Sequence, residues 1–101
     1  MTERDLATLT AGDFAPYTGE PFAVAGTLDG FVLTLTAVRH LGTAPTGLKR
    51  APFALDLAGP SATPLAQGTY RLTNAGFGAA TIFLVPVGEA ALSRFYEAVF
   101  T

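Results

Sequence analysis

Apolar and polar residues alternate along most of this chain, and a period of two predicts strands. The best-marked stretch flanks Asp29-Gly30, a dipeptide favoured in two-residue hairpin turns because both central positions take positive φ. Folding about that pair sets Leu28 against Phe31, Gly26 against Leu33, Val24 against Leu35 and Phe22 against Ala37. The opposite face takes Thr27 with Val32, Ala25 with Thr34, and Ala23 with Thr36. A one-residue slip would mix the two faces, so the sorting supports this register.

Further strands follow the same logic. Pro52 leads into a run in which Asp56 points away from Phe53, Leu55 and Leu57. After Gly68, Tyr70 and Leu72 face inward. An odd-numbered loop in the Asn74–Gly78 turn cluster would put them on one face with Ala80, Ile82 and Leu84, leaving Thr81, Phe83 and Val85 outside. Pro86 is expected to end that pairing or to sit at an edge, because it has no N–H to donate. Residues 89–92 read as one helical turn. The last strand alternates Tyr96, Ala98 and Phe100 against Phe95, Glu97 and Val99.

Near the start, Thr10 stands three residues before Asp13, a near relative of the capping box. Phe14 and Tyr17 then follow at helical spacing, so 10–17 reads as a short helix over one end of the core, stopped before Pro21. The segment 39–50, interrupted by Gly42, Pro45 and Gly47, reads as an exposed loop. The strands fall near 21–28, 31–38, 52–58, 68–73, 79–86 and 94–100. Their regular spacing and short connections predict an all-β fold: a small antiparallel six-stranded barrel or sandwich with a short N-terminal helix. The 101 residues fit one domain, 1–101.

Charge changes this picture. Only 14% of residues are charged, against roughly 25% in ordinary soluble domains. Fourteen charged side chains cover a small domain thinly. Val32, Val38, Phe83, Val85, Phe95 and Val99 fall on faces assigned away from the core. Clustered, they would form an apolar patch of the kind that marks a protein partner, so a homo-oligomer or appendage contact is expected there. Two other readings stay open: an Ala- and Thr-rich composition that raises hydropathy without making a patch, or sheets covered on both sides by the helix and long loops.

Net charge is −2, unlike the basic footprint of a nucleic-acid binder. The first six residues lack a basic region followed by an apolar run, so no signal peptide is expected, and cytoplasmic synthesis with incorporation into an appendage or particle stays open. No apolar run approaches 18 residues, so no transmembrane segment is expected. Cysteine is absent, which excludes disulfides and thiolate metal sites.

Catalysis finds little support. His40 is the single histidine, too few for a multi-histidine metal site, and reads as a surface residue at a strand end. Ser61 and Ser93 lack the glycine context of a nucleophile elbow. Asp29 belongs to its turn and Asp13 to its cap. Asp56 and Glu97 become a close pair only if their strands are neighbours, and solvated strand-face charges are the plainer reading. Residues 42–49 superficially resemble a phosphate loop, but Pro45 interrupts it, Lys49 is displaced by one place, and no helix follows. Lys49 and Arg50 remain a basic contact for an acidic partner. No catalytic, cofactor-binding or metal-binding residue is assigned, and the chain is expected not to be an enzyme.

Several short motifs carry a resemblance. Ala51-Pro52-Phe53-x-Leu55, Gly59-Pro60, Leu65-x-Gln67-Gly68-Thr69-Tyr70, Phe83-Leu84-Val85-Pro86 and Tyr96-Glu97-Ala98-Val99-Phe100, with Leu9-Thr10-x-x-Asp13-Phe14, resemble a family of uncharacterised small bacterial domains. Members of that family are often encoded beside phage-tail-collar-like proteins, and no activity attaches to them. The resemblance implies a structural or accessory role in a tail-like or surface appendage and carries no functional residues. The expectation is therefore a non-catalytic assembly protein. The alternative is a small barrel that binds an apolar ligand in its interior or a partner peptide by strand addition.

Overall fold

Among the described residues six strands close into one antiparallel barrel, ordered β1-β2-β3-β6-β5-β4 around the ring. The computed structural model describes residues 2–27, 31–42 and 50–101. The strands are β1 (Pro21–Val24), β2 (Val32–His40), β3 (Phe53–Pro60), β4 (Gly68–Asn74), β5 (Gly78–Ala90) and β6 (Ser93–Phe100). Alternation delivers Leu33, Leu35, Leu55, Leu57, Leu72 and Leu84 to the barrel axis, each essentially inaccessible to water. The fill is complete: the space between Phe22, Leu35, Leu57 and Ile82 holds about 0 Å³ open to a water molecule. Six strands enclose too narrow a bore for anything but side chains.

Both ends of the barrel are plugged. A helical turn, α1 (Ala11–Phe14), runs into a 3-10 turn at Ala15–Tyr17, as the spacing over 10–17 predicts. Asp13 Oδ2 accepts the Thr10 N–H at 2.8 Å, fixing the entry to α1. Phe14 then drops into the barrel mouth, stacked on Phe77 at 4.9 Å between centroids and tilted against Phe100 at 5.5 Å. At the other end the buried Tyr96 hydroxyl accepts the Leu65 N–H at 2.8 Å, pinning the β3–β4 connection across the opening. Tyr96→Phe is expected to keep the ring packing but strand that N–H, lowering stability by about 1–3 kcal/mol. A urea midpoint equal to that of the parent chain would contradict this.

The β4–β5 hairpin matches the sequence: Asn74 pairs with Gly78 across three residues, and Leu72, Tyr70 and Gly68 face Ala80, Ile82 and Leu84. Asn74 Oδ1 shapes the loop by accepting the N–H groups of Gly76 and Phe77. Phe77, expected in a turn, is buried with Phe14 and Phe22.

Four expectations are corrected. In the first hairpin Phe22 faces Leu33 rather than Ala37, and Ala23 faces Val32 rather than Thr36, a shift of four residues. The strand expected to reach residue 28 ends at Val24 because its other edge must meet β4, at Ala23↔Thr73 and Val24↔Leu72. Gly26 (φ 80°) and the Thr27 hydroxyl bond to the Val24 carbonyl turn the chain there. The Asp29-Gly30 turn itself, with Leu28, lies outside the described residues, as does 43–49 with Lys49 and most of the phosphate-loop look-alike. An even shift preserves the inward face, so polarity alone could not detect it.

Second, Val38 points inward and packs against the core, because a β-bulge between Leu35 and Ala37 flips the parity of β2. Arg39 and His40, assigned to a loop, complete that strand opposite Ala54 and Phe53. Third, Pro86 does not end β5. It lies opposite Tyr96 beside a second bulge at Val87, which accommodates the missing N–H, and pairing continues to Ala90↔Ser93. Fourth, residues 89–92 form no helical turn: Glu89 and Ala90 are strand, and Ala91-Leu92 is a two-residue hairpin turn.

Residues 2–4 add a strap outside the barrel. Glu3 bridges Ala79 in parallel, with Arg4 N–H to the Ala79 carbonyl at 2.7 Å and Ala79 N–H to the Thr2 carbonyl at 2.8 Å. Arg71 Nε binds Glu3 at 2.7 Å, and Arg4 lies over the Phe77 ring.

Candidate interaction surface

The outer wall formed by β3, β6 and β5 gathers most of the predicted patch. Across it Ala58, Phe95 and Gly88 form one row, and Asp56, Glu97 and Val85 the next. Val99 and Phe83 occupy the following outward positions of β6 and β5. Phe83 is 51% and Val99 55% exposed, Phe95 is exposed, and Val85 is half-buried. No loop of the described chain covers them. Val32 is exposed on β2, the strand next to β3. It shares a shallow depression of about 300 Å³ with Ala58, Pro60 and Leu92. The bulge turns Val38 toward the core, where it is half-buried.

Two apolar residues on this side escaped the sequence reading. Val87 is exposed at the bulge, and Leu92 is 85% exposed at the tip of the β5–β6 hairpin. Recognising 86–93 as a hairpin would have found both. The tip carries strain, since Ala91 sits at φ 53°, a conformation that L-residues other than Asn and Asp rarely take. Ala91→Gly should therefore be tolerated and stabilise by up to about 1 kcal/mol, relief of strain being partly offset by unfolded-chain entropy. A thermal midpoint that falls would show that the turn is not strained.

One ionic group interrupts the wall. Asp56 and Glu97 are directly opposite on neighbouring strands, and Arg39 bridges them. Its Nε and Nη2 bind Asp56 at 2.7 and 2.9 Å, and Nη2 also binds Glu97. Hydrogen bonds to Asp56 first and Glu97 second push the Arg39 pKa still higher than its ordinary value. The guanidinium is thus charged throughout the working pH range. Both carboxylates are held by this one cation. Ser93 starts β6 opposite Pro60, beside Ser61 in the turn after β3, while His40 ends β2 opposite Phe53 at the other end of the barrel. Among the described residues no three His, Asp or Glu side chains gather where a metal ion could bind. No described helix is long and apolar enough to cross a membrane.

Beyond Val85↔Glu97 the β5–β6 ladder stops, and the two strands part around a cleft of about 220 Å³. Leu6, Ile82, Phe83 and Val99 line it, with Arg50 at its side. Arg50 acts as a clamp. Its Nη1 donates to the carbonyls of Leu6 and Leu9 at 2.6 and 2.5 Å, and its Nη2 and Nε to the Thr101 main-chain oxygen at 3.1 and 3.3 Å. The guanidinium lies 5.5 Å from the centroid of Phe100, which stacks on Phe53.

A family model described as Domain of unknown function (DUF6916) matches residues 9–100. The chain belongs to this family. The matched span contains all six strands, the α1 plug and Arg50, whereas the clamp's partners Leu6 and Thr101 lie outside it. No curated protein and no solved structure matches this DUF6916 chain.

Proposed function

We propose that this DUF6916 domain is a non-catalytic assembly subunit that associates with further copies through the outer wall of β5 and β6. The observation that carries this reading is the grouping of Phe83, Val85, Phe95 and Val99 on adjoining strands with Glu97 as the one charge among them. Exposed apolar side chains grouped in this way support a contact surface rather than a wetted exterior. The filled barrel interior leaves no space for an apolar ligand, which favours contact over capture. Following the resemblance drawn from the motifs, the assembly we propose is a filament, ring or tail-like or surface appendage.

Sedimentation of the full chain over a wide concentration range, with electron microscopy, tests the reading. Species that grow with concentration are expected. Phe83→Asp, at an exposed position the fold tolerates, should shift them toward monomer by about tenfold or more in dissociation constant. A strict monomer at the highest concentrations would sink the proposal.

A further inference from the structure

The β5–β6 ribbon carries an apolar projection at one end and, at the other, a cleft lined by Leu6, Phe83 and Val99 with Arg50 and Thr101. We propose that Leu92, at the hairpin tip of one copy, seats in the Leu6–Phe83–Val99 cleft of a second copy, so that copies join head to tail. This rests on the assembly reading and names its contact.

The tip is built to project. Ala90↔Ser93 closes the turn, the Ser61 N–H donates to the Leu92 carbonyl at 2.9 Å, and Ala91 is held at positive φ. A strained, anchored turn that presents a bare leucine has lost its entropy before binding, which favours insertion into a preformed site. The cleft, at about 220 Å³, readily admits one leucyl side chain.

Charge matches shape. Arg50 uses four of the five N–H groups of a guanidinium on main-chain oxygens, and no Asp or Glu carboxylate among the described residues lies within 4.0 Å of it. Glu89, three residues before Leu92, is exposed; Arg94 stands opposite it on β6, but no cation lies within 4.0 Å of its carboxylate among the described residues. Docking brings the acid of the tip toward the remaining N–H of the base beside the cleft.

A single copy cannot make this contact. Leu92 and Val99 are seven residues apart along an extended ribbon, about 23 Å at strand rise. An antiparallel pair of copies would instead face the two Arg39 clusters toward each other. Each holds two carboxylates and one guanidinium, a net −1, so that arrangement sets like charges together. A head-to-tail contact is heterologous and leaves a free tip and a free cleft at the ends, so it propagates.

The absence of native cysteine makes the test clean. In the Leu92→Cys/Val99→Cys double variant the two thiols are too far apart to bond within one chain, since a disulfide needs Cα atoms about 7 Å apart or less. Oxidation is expected to give a ladder of covalent dimers, trimers and longer species that collapses on reduction. Mixing the two single variants should yield a covalent heterodimer that stops at two. Glu89→Lys should weaken assembly about five- to tenfold at low salt. Covalent dimers with no longer species would show a closed pair and overturn the head-to-tail arrangement. Absent cross-links in a chain that still sediments as oligomers would overturn this contact and spare the assembly reading. Absent cross-links in a monomeric chain would end both.

Discussion

Phe14→Ala is expected to remove about 3–5 kcal/mol of stability, the usual range for deleting a buried aromatic ring. The ring is the stopper of the barrel mouth, packed against Phe53, Phe77 and Phe100. Its backbone belongs to a helix of only four residues, too short to persist without that anchor. Little can therefore collapse into the space it leaves. A domain of this size is stable by only about 5–15 kcal/mol, so the loss is a large share. Urea unfolding should show a lower midpoint, and far-ultraviolet dichroism should retain the sheet signal below it. A change under 1 kcal/mol would mean that the plug is ornamental.

Gly78→Ala is the second large effect. Here φ is +104°, and an added Cβ would stand 2.5 Å from the Thr2 carbonyl oxygen. The obstacle is backbone, so no rotamer change relieves it. Either β5 shifts against β4 or the strap leaves Ala79. The expected outcome is loss of amide-exchange protection at Arg4 and Ala79, with about 2–4 kcal/mol of destabilisation from the disfavoured φ and the overlap. Unchanged protection at both amides would refute the account. Gly59, whose Cβ would meet the Leu33 side chain at 2.6 Å, has a softer neighbour and should tolerate alanine better.

The sequence reading succeeded wherever period two was sufficient. Leu33, Leu35, Tyr96 and Ala98 reach the interior, and Phe83, Phe95 and Val99 the exterior, because a pleated strand has only two sides. It failed wherever something other than parity decided. Nothing in Leu35-Thr36-Ala37 announces a bulge, since all three fit either side of a sheet, yet that one extra residue turned Val38 inward and brought Arg39 beside Asp56 and Glu97. The four-residue shift of the first hairpin came from ring closure, a long-range demand of β4 on β1. The clamp was illegible for a similar reason: Arg50 binds oxygens more than forty positions away on both sides, at Leu6, Leu9 and Thr101. Leu92 was hidden by reading Pro86 as a terminator, when a bulge carried pairing past it.

The joint between β1 and β4 consists of two register pairs, while β3 and β6 share eight. A ring parts at its shortest weld. Thermal openings of this barrel should begin at Val24 and Leu72, turning a hoop into a curved ribbon whose remaining joints hold. Such a ribbon would bare two fresh borders, one at β1 and one at β4, far from the wall where neighbours dock. The molecule could therefore breathe on one side while staying gripped on the other.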